Sequence, residues 1–300
     1  MNKNTKSQSG SLGLLPKGFE DLLSPDAEEE AEAIAALMAV FKDRGYARIK
    51  PPLMEFEESM LAQGPGAAIN DQTFRVMDKE TGKMLALRSD ITPQIARIVS
   101  SRLNDAPRPL RLSYANDVVR MSGSQQRTLR QFCQVGCELI DDGSNSNIEE
   151  VVVLAAQGLQ ALGIKDISFD FTLPCIFEDV LKVADISRDE IDALRAKLSG
   201  DADKAIAALK DLGLSEAALK DVERLEYILK SQSLQELNDV SFTVDPLENK
   251  GFEYHKGIAF TIFAKNVNGE LGRGGAYALG SEPLACGFTL YMDTVRAAKN

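Results

Sequence analysis

The chain has 300 residues, 44% of them hydrophobic and 26% charged, with a formal net charge of -11 and a single histidine. That length predicts about two domains with a sizeable core, and the acidic balance argues against nucleic acid as a partner, because phosphate binding needs clustered Lys and Arg. Four cysteines without a CxxC pair argue against a zinc site, no apolar run approaches the ~20 residues of a membrane span, and the polar first dozen residues lack the apolar stretch of a signal peptide.

The expectation is therefore a cytoplasmic protein that binds no membrane. Residues 1–13 read as a disordered tail, and Pro16–Asp21 as a turn-rich segment. A helix is predicted from Asp26 to about Arg44. Ser24 would cap it, Pro25 suits its first turn, and Asp26, Glu28, Glu29 and Glu30 favour its positive end. Ala35, Leu37, Met38, Val40 and Phe41 form its apolar side, and Gly45 ends it. Tyr46–Lys50 alternates like a strand and meets Pro51 and Pro52. Strands follow at Gln72–Met77 and Met84–Leu87, then a helix from Thr92-Pro93 through Ile98. Two strands flank the loop Met121–Thr128. Asn147–Leu162 reads as helix and Ile167–Leu173 as strand. From Phe177 to Leu237 the chain is rich in Ala, Leu, Lys, Asp and Glu, with helical periodicity broken at Gly200 and Gly213. This predicts a small all-helical insert at 176–237. Strands return at Val240–Val244, Gly257–Phe263 and Leu284–Leu290. The block order of helices and strands predicts an α+β fold on an antiparallel sheet.

Several constellations can carry chemistry. Arg88 can hold a carboxylate or phosphate while Asp90 receives an ammonium; equally, Asp90 or Thr92 can cap the helix that follows. Arg120 and Arg130, on a strand–loop–strand ribbon, can grip a carboxylate or α-phosphate, or stand as surface arginines. Arg127 lies on the loop between them and reads as mobile. Gln134 and Glu138 are four apart on a strand and share a face. They can bind an ammonium or an imidazole N–H, or Glu138 can pair with a core arginine. Asp141-Asp142-Gly143-Ser144 is read as a strand-ending turn. Gly272-Arg273-Gly274-Gly275 matches no phosphate-loop pattern and is read as a tight turn that lets a ligand or backbone approach closely. His255 has no Ser or Cys partner set, so no nucleophile–base pair is expected.

Taken in order, these segments resemble the catalytic module of a class II histidyl-tRNA synthetase from Leu15 to about Arg296. Motif 1 is similar to the Asp26–Pro52 helix and strand, and motif 2 to Arg120–Glu138. The histidine signature is similar to Lys250-Gly251-Phe252-Glu253-Tyr254-His255, and motif 3 to Gly287–Thr294. The departures matter. Ser122 stands where that family has glutamate, Lys250 and Thr294 where it has arginines, and Tyr291 where it has glycine. His255 replaces a second tyrosine, and Asp90 a longer glutamate. The chain therefore also resembles a non-catalytic family related to the synthetases, the regulatory subunits of ATP phosphoribosyltransferase. That resemblance implies a synthetase-like domain over 14–175 and 238–300, no catalytic residues, no cofactor and no metal. It implies a hetero-octamer that contains a homodimer of this chain and a short catalytic subunit, with feedback by L-histidine. It also implies a histidine pocket: Asp90 facing the ammonium, Arg120 the carboxylate, Gln134 the amino-acid end, Glu138 the imidazole, and Tyr254 and His255 the wall. Arg88, Thr92, Arg130 and Tyr277 are its candidate supports.

Overall fold

A computed structural model describes residues 13–62, 64–124, 127–140, 146–186, 191–248, 251–252, 254–279 and 285–299. The tail before residue 13, the turn at Asp141–Ser144, Lys250 and Glu253 lie outside the described residues.

Helix α1 (Asp26–Asp43) carries Asp26, Glu28 and Glu29 in its first turn, where acidic groups oppose the helix dipole favourably. It buries Ala33, Leu37 and Phe41, spaced four apart on one face. Ser24 does not cap it; Pro25 holds the cap position and offers no side-chain bond. Helix α2 (Thr92–Ser101) starts at the predicted Thr92-Pro93 and buries Ile95 and Val99. Helix α3 (Ser146–Ala161) packs beside α1.

The main sheet has nine strands. They are β1 (Ala47–Arg48), β5 (Leu110–Val119), β6 (Gln131–Ile140), β12 (Ala285–Tyr291), β11 (Gly272–Tyr277), β10 (His255–Ala264), β7 (Ile167–Thr172), β9 (Val240–Val244) and β8 (Gly200–Asp201), in that spatial order. A second sheet of three strands, β2 (Met54–Phe56), β4 (Met84–Leu87) and β3 (Arg75–Met77), is joined to the end of β5 by the Thr73–Arg120 bridge and by the Val119 N–H donating to the Arg88 carbonyl. The centre of the main sheet is antiparallel as expected, but β1 runs parallel to β5 and β7 parallel to β9. The sheet is thus mixed, and the α+β class stands.

Two sequence expectations are corrected here. Gly272–Gly275 is not a turn. It opens β11, a central strand paired on both sides with β10 and β12. Ladder bonds from two neighbours override the punctuation that glycines suggest. The stretch after Phe177 is not all helical either. Helices α4 (Phe177–Ala184), α5 (Ile191–Leu198), α6 (Ala202–Asp211) and α7 (Glu216–Leu229) are interrupted by β8, which pairs with β9. Their buried residues, among them Leu209, Val222 and Leu225, share one core with Phe169 and Phe260 of the sheet.

Strand β6 is buried on both faces. Cys133, Val135, Cys137 and Leu139 join the core under α1 and α3, while Phe132 and Ile140 join a second core with Ile91, Ile95 and Tyr277. Gln134, Gly136 and Glu138 fall on this second face by the two-residue period. The C-terminal helix α8 (Met292–Lys299) follows β12 directly.

Candidate functional site

Register builds the floor of the site. Glu138 on β6 lies opposite Gly287 on β12, which lies opposite Gly275 on β11. The next rung reads Tyr114, Gly136, Thr289, Arg273, Thr261 and Asp170 across six strands. Directly opposed residues share a face, so one rung supplies a lone carboxylate above bare glycine and the next a row of polar groups. A cavity of about 530 Å³ opens over this floor and is lined by residues of both rungs.

The glycines are required by space. A Cβ at position 287 would stand 1.8 Å from Oε2 of Glu138 and 2.6 Å from the Cys137 carbonyl. Gly287→Ala will therefore push Glu138 from its seat. The expected overpacking cost is about 1–3 kcal/mol. It is read as a lowered urea midpoint at unchanged slope.

Glu138 is 1% exposed. Its Oε1 accepts from the Thr92 hydroxyl at 3.1 Å and its Oε2 from the Tyr277 hydroxyl at 2.8 Å. No arginine pairs with it among the described residues. Burial pushes its carboxyl up to about 8, and the nearby charge of Asp90 adds to this, against the pull of the hydroxyls of Tyr277, Thr92 and Tyr114. Gln134 is a spacer between loop and sheet. Its Oε1 accepts from the Ile91 backbone N–H at 3.2 Å, and its Nε2 donates to Oδ2 of Asp90 at 2.9 Å. Asp90 also accepts from the Thr92 backbone N–H at 3.0 Å. Neither Asp90 nor Thr92 caps α2, whose cap position is Ile91 with no side-chain bond; Asp90 braces the turn before it and lines the cavity.

Arg120 stands at the cavity edge with its Nη2 3.9 Å from Asp90, and its guanidinium lies 5.1 Å from the centre of the Phe132 ring. The Tyr254 ring lies 4.2 Å from that of His255 and meets Tyr277 edge-on at 6.0 Å. His255 is 7% exposed, and its Nδ1 has no hydrogen-bond partner among the described residues. Burial, aided by the positive charge of Arg273, pushes its pKa down to about 3, so the ring is neutral.

Three arginines differ from expectation. Arg88 does not face the cavity: it donates to the backbone carbonyls of Asp117 at 2.5 Å and Pro51 at 3.1 Å. Its five donors suit the convergent carbonyls left where β-pairing stops. Arg130 bridges backbone too, donating to the carbonyls of Arg120 at 3.1 Å and Lys17 at 3.3 Å, over the rings of Phe19 and Phe74. It fastens the amino-terminal segment to the ribbon. Arg127 is not a free loop side chain. Its side chain is 7% exposed and is held by Asp293 and Glu270 against the Tyr291 ring. Thr92 and Tyr277, by contrast, both donate to the Glu138 carboxyl.

Sequence reasoning missed Tyr114, Arg273, Thr289 and the space-making role of Gly287. The Tyr114 hydroxyl lies 2.7 Å from that of Thr289 in the floor. A period-two reading of 273, 275 and 277, and of 287, 289 and 291, places all six positions on the face of Tyr277. Among the described residues, no group of three metal-ligating side chains is gathered, and no helix is long and apolar enough to cross a membrane.

The chain matches the family model described as histidyl-tRNA synthetase over residues 18–226 and 196–295. It is 43% identical over 317 residues to an ATP phosphoribosyltransferase regulatory subunit of Paramagnetospirillum magneticum, covering 97% of this chain and 83% of that protein. A protein of the same description from Rhodospirillum centenum is 44% identical over 319 residues, covering 97% and 81%. Among solved structures, an ATP phosphoribosyltransferase regulatory subunit/histidyl-tRNA synthetase from Bacillus halodurans superposes with a TM-score of 0.81 at 23% identity, covering 100% of this chain and 85% of that one. A histidyl-tRNA synthetase from Nostoc sp. gives a TM-score of 0.76 at 19% identity, covering 95% and 74%. At these identities the structural likeness is one of fold.

Proposed function

The chain belongs to the family of ATP phosphoribosyltransferase regulatory subunits, and from that premise we propose that it is a non-catalytic subunit which activates a short-form catalytic partner and conveys feedback by L-histidine. The observation that carries the histidine part is the walled carboxylate of Glu138, with Asp90 and Arg120 at the mouth of the same cavity. A zwitterionic amino acid with an N–H at the end of its side chain satisfies all three. Its ammonium meets Asp90, its carboxylate meets Arg120, and its imidazole reaches Glu138 between Thr92 and Tyr277. Gln134 orients Asp90, and Tyr254 and His255 form an aromatic wall with no charge at neutral pH.

The absence of synthetase chemistry in this reading is supported by what occupies the key positions. Thr294 donates to the backbone carbonyls of Glu270 and Tyr291, so its hydroxyl is turned onto the fold. Ser122 carries no charge. Removing one electrostatic stabiliser from an activation site costs ~10²–10³ in rate. The regulatory effect requires only ~1–3 kcal/mol of coupling between histidine and the partner. The same reading includes a homodimer of this chain within a hetero-octamer, and a synthetase-like domain over 14–175 and 238–300 that carries the helical insert.

The test is reconstitution. The full chain is mixed with a short-form ATP phosphoribosyltransferase catalytic subunit and phosphoribosyl transfer to ATP is measured. The expected result is activity that needs both chains and falls as histidine is added. Catalytic-subunit activity indifferent to this chain overturns the proposal. Histidine-dependent ATP–pyrophosphate exchange by this chain alone overturns its non-catalytic part.

A further inference from the structure

Behind the cavity wall sits a cation that the pocket itself does not use. Phe132 and Tyr291 meet edge-on, their ring planes at 87° and their centres 5.9 Å apart. The guanidinium of Arg127 fills the corner they make, 3.9 Å from the centre of the Tyr291 ring and 4.8 Å from that of Phe132. Its donors are met from the open sides. Nε donates to Oδ2 of Asp293 at 2.8 Å, and Nη2 donates to the Thr294 hydroxyl at 3.2 Å and the Glu270 carbonyl at 3.4 Å. Nη1 lies 3.7 Å from Oε1 of Glu270.

Every property of this corner selects one chemical class. Two aromatic faces favour a flat, weakly hydrated cation over a compact ammonium. The acceptors meet Nε, Nη1 and Nη2 separately, as the fork of a guanidinium requires. Charge favours a cation there as well. Glu270 is shared between Arg127 and Arg273, while Asp293 meets Arg127 directly. Without Arg127, Asp293 loses its ion pair and Glu270 keeps only that with Arg273, and these carboxylates are 14% and 13% exposed, so negative charge at the corner goes unmatched.

We propose that the Phe132–Tyr291 corner is a guanidinium-binding subsite in its own right, filled in this chain by Arg127 and open, once vacated, to a free guanidinium compound. Tyr291 and Glu270 also line the main cavity, so the occupant of the corner sets the position of one cavity wall. The subsite stands apart from the regulatory reading, since it needs neither histidine nor a partner.

The test uses the full chain and two small cations. Arg127→Ala is titrated with methylguanidinium chloride and, in parallel, with methylammonium chloride at equal ionic strength, and Tm is followed. The expected result is a starting Tm on the order of 5 °C below wild type, recovered saturably by methylguanidinium in the millimolar range and not by methylammonium. The wild-type chain, its corner filled, shows no such difference between the salts. Equal responses to both cations, or the same methylguanidinium response in wild type, overturns the proposal. Should Arg127→Ala not fold, Arg127→Gln is titrated in the same way. A third reading needs no variant to fold: in wild type, the Arg127 Nε–H must appear among nitrogen-labelled arginine signals as slowly exchanging and ring-shifted. If every arginine Nε–H exchanges as fast as an exposed one, the corner does not hold its cation and the proposal fails.

Discussion

Histidine binding at pH 7.2 will exchange no net proton with buffer, and Glu138→Gln will weaken it by roughly 100-fold. Both follow from the seat of Glu138. Its carboxyl is pushed up to about 8 by burial, so the empty pocket holds a proton there at neutral pH. A free imidazole, with a pKa of about 6.5, is neutral at the same pH. Bringing them together places one proton between two groups, whichever atom holds it. Below about pH 6.5 the ligand brings a second proton, which must be shed, and affinity falls. Above about 8 the pocket has lost its own, one must be taken up, and affinity falls again. Between these limits affinity is flat. Glutamine cannot hold or accept that proton, and a hydrogen bond to a charged group is worth about 1.5–3 kcal/mol. Calorimetry in two buffers of different ionisation enthalpy reads the proton count directly. Release of close to one proton at pH 7.2 would show a neutral imidazole facing a bare carboxylate, and this account would be wrong.

The second expectation concerns the fold without ligand. Glu138 and His255 are shifted in opposite directions, and their contributions to stability cancel over part of the pH range. The folded Glu138 holds its proton up to about 8 against 4.5 for the ordinary carboxyl. Its contribution is complete below 4.5 and is lost as pH rises to about 8. His255 is neutral in the fold down to about 3 against 6.5 ordinarily. Its contribution is complete above 6.5 and is lost as pH falls. From 4.5 to 6.5 folded and unfolded chains bind equal numbers of protons at these two sites, so the pair adds no slope. From 6.5 to about 8 only Glu138 counts, and stability declines by roughly 2 kcal/mol. Glu138→Gln uncovers the other half: its stability will rise with pH between 4.5 and 6.5, where wild type is flat in this respect. Urea midpoints across that range decide it. Parallel curves for wild type and Glu138→Gln from pH 4.5 to 8 would rule out a buried, protonated Glu138.

Elements that repeat a simple period over a long stretch were legible in the chain. Helix α1, helix α3 and the β5–β6 ribbon fall where periodicity, charge at the helix start and Pro or Gly punctuation place them. Strand β11 was not legible. Its glycines resemble a turn in isolation, and only pairing with β10 and β12 makes it a strand. The arginines were the other blind spot. Arg88, Arg120, Arg127 and Arg130 are equally good phosphate or carboxylate ligands on paper. Which of them meets backbone carbonyls, an internal acid or the open cavity depends on where loops end in space. Parallel pairing leaves no local signature either, since a strand's own residues do not encode the direction of its neighbour.

That direction has a topological outcome for the helical stretch after β7. Strands β7 and β9 run the same way, Ile167 beside Val240 and Phe171 beside Val244, and parallel neighbours need a long crossing connection. Joining Thr172 to Val240 by a short turn would force β9 to reverse. Asp245 and Glu248, which in the intact chain receive Arg195 at 2.7 and 2.6 Å, would then emerge at the opposite end of the sheet. Glu248 would be carried away from the cavity it lines. The segment is thus a reversal device as much as an ornament. It can be reshaped along its length, but it cannot be cut out without turning a strand around.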